Sequence, residues 1–314
     1  MLPSLPLLAI VGPTAVGKTS LSIILAERLD GEIISADSRC LYIGMSIGTA
    51  KPTDKELARV PHHLIDVTTP DKPWSLAQYK KAAVEAIADI HSRGRLPMLV
   101  GGTGQYVRAI LEGWDIPPRP GSLRIRRQLE CEARKPGGSK VLHAKLAHLD
   151  SQAAMEIDAR NIRRLIRALE VCLSTGKPFS TQRKRQTPPY QIFTLGLAMV
   201  RADLYARIDL RLQSMLEDGL VDEVLHLVES GYTWDMPALS ALGYKQLGGY
   251  LRGEYDLDEA VRLIKRGTRR FVRQQSSWFA ANDSSIHWFE VDDTSPVILE
   301  REIKRWLKSI EAPA

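Results

Sequence analysis

Apolar residues in the first hundred positions come as short continuous runs, separated by stretches with helical periodicity. The run "LLAIV" predicts a buried strand ending at Val11, and "KTSLSIILAERL" sets Leu21, Ile24, Leu25 and Leu29 on a helix. "EIIS" and "HLIDV" predict two more short strands. "SLAQYKKAAVEAIADIHSRG" predicts a helix with Ser75 as N-cap and Gly94 closing it. "LPMLVGG" reads as a further buried strand and "QYVRAILEG" as the next helix. Buried strands alternating with helices are the pattern of a parallel sheet.

Proline and glycine then punctuate Pro117–Gly121, and four short helical patterns follow with no strand among them, up to Pro189. "YQIFTLGLAMV" returns to a strand. "ADLYARIDLRLQSMLEDG" is a helix closed by Gly219, and "LVDEVLHLVESG" is another. "DLDEAVRLIKRGTRRFVRQQSSWFAAN" predicts one long helix, "IHWFEV" a last strand, and a final helix runs to about Ile310. The expected organisation is an α/β core of residues 1–115 plus 190–314, with a helical insertion at 116–189.

Charge sharpens that division. The insertion region, residues 115–190, holds 16 lysines and arginines against 7 aspartates and glutamates. That excess is larger than the whole chain's net +6, so the remainder is slightly acidic. A basic segment on a near-neutral body suggests a polyanionic partner, against the plainer reading of a solvated helical surface. Cys40, Cys131 and Cys172 are far apart, which fits neither a disulfide framework nor a zinc site and suits a reducing cytoplasm. No apolar run approaches the ~18 residues of a membrane helix. The apolar N-terminus lacks a basic flank and a small-residue cleavage site, so it reads as a strand rather than a leader. Nothing suggests a large apolar interface, and a monomer is expected.

"GPTAVGKT", Gly12 to Thr19, has the spacing G-x-x-x-x-G-K-[ST] and lies between the first strand and the first helix. Glycines let backbone N–H groups turn toward an anion, and the helix adds its positive end. The predicted fold is therefore a P-loop NTPase-like parallel sheet flanked by helices, with an inserted all-helical domain. Lys18 would reach a terminal phosphate and Thr19 would help hold Mg²⁺. A triphosphatase also needs an apolar strand ending in Asp. The best core strand ends in Gly-Gly-Thr, and Asp66 in "HLIDV" is a weaker candidate. The cradle is present and the hydrolytic partner doubtful. Asp37, after "EIIS", falls on the same sheet edge, either as acceptor or general base or as a helix cap or loop acceptor. His62 and His63 have no companion at metal-ligand spacing and read as structural; Trp278, Phe279, Trp288 and Phe289 read as core.

"GPTAVGKT", "SADSRCLYIGMSIGTAKP", "PHHLIDV", "LVGGTGQY" and "ALGYKQ", in that order over nearly the whole chain, resemble the tRNA dimethylallyltransferases, the isopentenyl-tRNA transferase family. The family moves a dimethylallyl group from its diphosphate to the exocyclic amine of the adenosine 3′-adjacent to the tRNA anticodon, releasing pyrophosphate. The resemblance implies that Gly12, Pro13, Thr14, Ala15, Val16, Gly17, Lys18 and Thr19 hold dimethylallyl diphosphate with Mg²⁺. It implies three catalytic residues: Asp37, which takes the amine proton, Thr103, which lies near donor and nucleotide, and Arg211, which makes diphosphate and catalytic contacts. The tRNA anticodon stem-loop would be met by Asp37, Ser38, Arg39, Cys40 and Thr103. Ser240, Ala241, Leu242, Gly243, Tyr244 and Lys245 would meet it as a loop, and Arg126, Arg163, Arg164 and Arg167 from the insertion.

Helical spacing aligns Arg160, Arg164 and Arg167 on one face with Arg163 at its edge, and Arg262, Arg266, Arg269 and Arg273 repeat the pattern. Arg124 and Arg127, and Arg183, Lys184 and Arg185, add charge. Arg207 lies one turn before Arg211; the plainer reading of that pair is an ion-pair stripe with Asp209 and Glu217. The chain departs from the family's usual residues at Arg39, Cys40, Ser46, Gln105 and Gln274, and "DARNIRR" stands where "HPND" is commoner. The eukaryotic members' C-terminal zinc finger is not in the sequence, so a bacterial or organellar type is expected. Two alternatives are an isopentenyltransferase acting on free AMP or ATP, which needs no basic insertion, and a P-loop small-molecule kinase.

Overall fold

A computed structural model describes residues 5–116, 123–182, 185–292 and 295–311. The chain divides into two compact units, residues 1–111 with 189–314, and residues 112–188. The first is built on β1 (Leu5–Val11), α1 (Lys18–Leu29), β2 (Gly31–Ser35), α2 (Asp54–Leu57), β3 (His62–His63), α3 (Leu76–Ser92), β4 (Leu96–Gly101) and α4 (Gly104–Leu111). The second carries α5 (Leu123–Arg134), α6 (Gly138–Leu149), α7 (Ser151–Glu156) and α8 (Ile162–Thr175). The first unit resumes with β5 (Tyr190–Ala198), α9 (Arg201–Glu217), α10 (Leu220–Glu229), α11 (Tyr244–Leu251), α12 (Leu257–Gln275), β6 (Ile286–Glu290) and α13 (Ser295–Glu311).

The sheet order is β3-β2-β4-β1-β5-β6 and every pairing is parallel. Such strands are covered on both faces, which is why β1 and β4 are continuous apolar runs. One face packs on α1, α9, α12 and α13 through Ile23, Leu25, Leu204, Ile208, Val272, Leu299 and Ile303. The other packs on α3 and α4 through Tyr79, Ala83, Ile87, Val107 and Ile110. A third cluster joins α9 to α12 around Tyr244 with Tyr42 and Met45. The chain leaves β1 toward β2 and β3, returns to β4, and only then crosses to β5. The carboxyl ends of β1, β2, β4 and β5 therefore flank the crevice where such sheets bind ligands. The second unit has its own core of Leu129, Leu142, Leu146, Leu165, Ile166 and Leu169.

Ser75 caps α3 reciprocally with Gln78, and Gly94 (φ 72) follows its end, as the pattern predicts. Four expectations need correction. "HLIDV" is not a strand along its length: β3 is only His62–His63, because Leu64 and Asp66 take left-handed angles. "ALGYKQ" is not wholly a loop, because α11 begins at Tyr244, with Gln246 accepting from the Gly243 N–H. The long helix stops at Gln275, where the Ser276 and Ser277 hydroxyls donate back to Arg273 and Gln274 carbonyls. Arg160 precedes α8, which is capped by Asn161, and is held by Asp158, so it shares no helical face with Arg164 and Arg167. Pro117–Gly121, Arg183 and Lys184 lie outside the described residues.

Candidate active site

Gly12 opens the P-loop at φ 148, and a Cβ there would stand 2.7 Å from the Leu197 carbonyl oxygen of β5. Only glycine lets the loop turn so close to the sheet. The loop ends in α1, whose first-turn amides have no intrahelical acceptor and face outward as anion donors. In the loop itself, the Thr14 N–H donates to Gln275 Oε1 at 2.9 Å, so that amide is not available to a phosphate. The Gln275 side chain donates in turn to the Gly102 carbonyl at 3.2 Å. Buried at the end of α12, Gln275 thus ties the P-loop to the residue before Thr103. Sequence reasoning missed it, since its partners are far away along the chain.

Lys18 folds over the loop, donating from Nζ to the Gly12 and Pro13 carbonyls at 3.0 and 2.7 Å. Burial pushes its pKa down to about 8; Asp37 works against that shift, and Arg211 adds to it. Lys18 therefore feels the charges of both Asp37 and Arg211. No carboxylate pairs with Lys18 or Arg211 among the described residues. Burial, then the neighbouring Arg207, lowers the Arg211 guanidinium from its ordinary value. Arg207 reaches the Val16 carbonyl at 3.5 Å. The ion-pair stripe is absent from this pair: Asp209 accepts from Arg269 at 2.8 Å, and Glu217 from Gln213 at 2.9 Å.

Asp37 follows β2. One carboxylate oxygen accepts the Arg39 N–H at 2.8 Å, and Oδ2 has no protein donor among the described residues. Behind it, Tyr79 and Tyr106 stack with ring centroids 3.7 Å apart, and the Tyr79 hydroxyl donates to the Ser35 carbonyl. Thr103 stands after β4. Its hydroxyl accepts the Ser38 N–H at 3.1 Å, and its own N–H donates to Ala36, so the ends of β2 and β4 are latched together. Arg39 donates to the Pro237 and Ala238 carbonyls at 2.8 and 3.3 Å and reaches Ser240 Oγ at 3.4 Å.

Among the residues expected at the RNA, Lys245 is exposed, Leu242 is half-buried, and Gly243 caps α11. Cys40, Ala241 and Tyr244 turn their side chains into the interior, at 7, 4 and 0 % exposure, which leaves their backbone atoms for any contact with RNA. In the second unit Arg163 and Arg164 are exposed and Arg167 is half-buried. Arg126 is engaged by Glu130 at 2.8 Å and Glu170 at 3.3 Å. Asp66 pairs with Lys51. His62 bonds the Val60 carbonyl and His63 bonds Glu32. No cluster of three metal-binding side chains occurs among the described residues. The Thr19 hydroxyl, at the first turn of α1, has no protein partner there. A groove of about 500 Å³ on α13, lined by Val297, Glu300, Arg301, Lys304, Arg305 and Lys308, holds none of these groups.

A family model described as IPP transferase matches residues 40–282, and one described as Isopentenyl transferase matches residues 5–72. A tRNA dimethylallyltransferase of Roseiflexus sp. (strain RS-1) is 54% identical over 88% of this chain and 90% of that protein. One of Chloroflexus aurantiacus is 50% identical over 87% and 92%. Among solved structures, a tRNA isopentenylpyrophosphate transferase from Bacillus halodurans is 41% identical, with a TM-score of 0.73 over 98% of both chains. A eukaryotic dimethylallyltransferase described as acting on tRNA has a TM-score of 0.81 at 25% identity, over 96% of this chain and 78% of that one.

Proposed function

The chain belongs to the IPP transferase family, and from that premise we propose that it is a tRNA dimethylallyltransferase. It moves the dimethylallyl group from its diphosphate to the exocyclic amine of the adenosine 3′-adjacent to the tRNA anticodon and releases pyrophosphate. The observation that carries this reading is that, among the described residues, Lys18 at the sheet edge and Arg211 on α9 lack carboxylate partners and an Asp37 oxygen lacks a donor. Such an edge suits an anion that leaves and an amine that loses a proton.

Allylic diphosphates ionise readily, so the protein's task is to stabilise the departing charge and orient a weak nucleophile. The amides after Thr14, with Lys18, Arg207 and Arg211, take the diphosphate; Lys18 exchanges the Gly12 and Pro13 carbonyls for phosphate oxygens. Asp37 accepts the amine proton through Oδ2 while the Arg39 N–H holds its other oxygen. The target adenosine leaves its stack to reach this edge. Thr19, whose hydroxyl has no protein partner among the described residues, would be the residue to hold a Mg²⁺. When bound, the ion neutralises charge on the pyrophosphate. Arg163, Arg164, Arg266 and Arg270 are exposed and supply sequence-independent affinity for tRNA phosphates. No described helix is long and apolar enough to cross a membrane, and a cytoplasmic monomer is the setting proposed.

Labelled dimethylallyl diphosphate offered with tRNA, with AMP or with ATP tests the reading. Label is expected in tRNA alone. Label in the free nucleotides would favour the nucleotide prenyltransferase, and steady phosphate release from ATP would favour the kinase.

A further inference from the structure

The segment after Asp37 is held at its far end by one carboxylate. Glu223, in the first turn of α10, accepts the N–H groups of Ser46 and Ile47 at 2.7 Å each on one oxygen, and that of Gly48 at 3.1 Å on the other. The Tyr244 hydroxyl donates to the same carboxylate at 2.5 Å. No cation pairs with Glu223 among the described residues. Successive amides converging on an anion make a nest, and here the protein's own side chain fills it. The segment is moulded to this support. A Cβ on Gly48 would stand 2.6 Å from the Tyr244 ring, and Tyr42 and Met45 are buried with Leu220, Val224 and Leu227. Its near end is held by Thr103 and by Arg39, which reaches the same helical module at Pro237 and Ser240.

We propose that Glu223 is a positioning residue for prenyl transfer to tRNA: by gripping the 46–48 amides between α10 and Tyr244, it sets the Asp37-bearing segment against the target nucleotide. The inference rests on the prenyltransferase reading. It gives Tyr244 a role through its hydroxyl instead of direct contact with RNA. The diphosphate cradle is built by β1, α1, α9 and Gln275 and does not involve this grip, so tRNA use and donor use respond separately.

Steady-state transfer by Glu223→Gln and Tyr244→Phe, varying tRNA at saturating donor and donor at saturating tRNA, tests it, with thermal melting alongside. Glu223→Gln is expected to raise KM for tRNA roughly tenfold, the scale of one lost charge-assisted hydrogen bond, with KM for dimethylallyl diphosphate within about twofold. Tyr244→Phe should move the same parameter less, with a near-native melt. Equal changes in both KM values, or an unchanged tRNA KM in Glu223→Gln, would overturn the proposal. If Glu223→Gln does not fold, Tyr244→Phe decides, and a folded variant with native tRNA KM refutes it. A wild-type enzyme that transfers nothing to tRNA would sink the functional reading itself.

Discussion

Strand β2 carries a carboxylate near each end, and the two have opposite fates. Glu32, at the start, is fully buried and saturated: His63 meets it at 2.7 Å, Arg95 at 3.2 Å, and Arg93 grips both oxygens. Asp37, just past the end, is felt by Lys18 without a direct ion pair, and one of its oxygens has no donor among the described residues. Burial works to raise the Glu32 pKa, but the hydrogen bonds from Arg93 and His63 outweigh it and hold it near 2. A carboxylate whose lone pairs are all taken stabilises the fold; one left near uncommitted cations is available to substrate. The two ends of one strand thus divide stability from chemistry.

The most direct way to break the comparison is Asp37→Asn. As a base, Asp37 contributes by proton transfer, so turnover should fall roughly 10²–10⁴-fold with fold and both substrates' binding retained. Single-turnover transfer at saturating donor and tRNA measures it. Near-native chemistry would make Asp37 only the acceptor for the Arg39 N–H, a role Asn fills equally well.

Lys18→Ala should lower kcat/KM for the donor by about 10²–10³ while tRNA retention on a filter stays native, since the lost donor faces only the diphosphate. The pH profile sharpens this. Only protonated Lys18 attracts the diphosphate, so donor kcat/KM should decline as pH rises through about 8. Lys18→Arg, whose guanidinium stays charged, should move that decline upward. An identical profile in Lys18→Arg would remove Lys18 from the titration.

Glu32→Gln should act on stability alone. The folded-state pKa lies below the 4.5 of an ordinary glutamate, so the wild type's stabilisation is present above 4.5 and is lost as pH falls through about 2. A shift of that size corresponds to on the order of 3 kcal/mol at neutral pH. The variant should melt lower by that equivalent and lose the share of the wild type's acid sensitivity that Glu32 contributes, with donor and tRNA KM native at a temperature where it is folded. A changed donor KM would mean the two ends of β2 are not independent.

How legible was this? The P-loop strand, β4 and β5 could be read directly, because strands covered on both faces need unbroken apolar runs, and the glycine spacing of "GPTAVGKT" follows from backbone approach to an anion. Asp37, Thr103 and Arg211 needed the family resemblance as well, since an Asp after a strand is as good a cap as a base. Left-handed Leu64 and Asp66 were invisible in "HLIDV", whose composition is that of a strand. Gln275 and Glu223 were missed because their work is done on backbone amides far away in sequence, and amides leave no mark in side-chain patterns. Spacing alone also could not show that Asn161 starts α8 after Arg160, or that Glu170 claims Arg126.

The smallest expected effect separates free from engaged charge in the second unit. Arg163 and Arg164 are exposed near the start of α8, whereas Arg126 is held by Glu130 and Glu170. If tRNA phosphates meet the free arginines, each lost contact lowers the slope of log affinity against log salt by roughly 0.7–0.9. Arg163→Ala with Arg164→Ala should then weaken tRNA binding at low salt and flatten the slope by up to two such steps. Donor KM should not change. Arg126→Ala should leave the slope alone and instead lower the melting temperature, because it leaves the largely buried Glu170 without this partner. Binding titrations of the three proteins at several salt concentrations decide. A native slope in the double variant would make Arg163 and Arg164 merely solvated, and a flattened slope in Arg126→Ala would mean that this arginine leaves its carboxylates for the RNA.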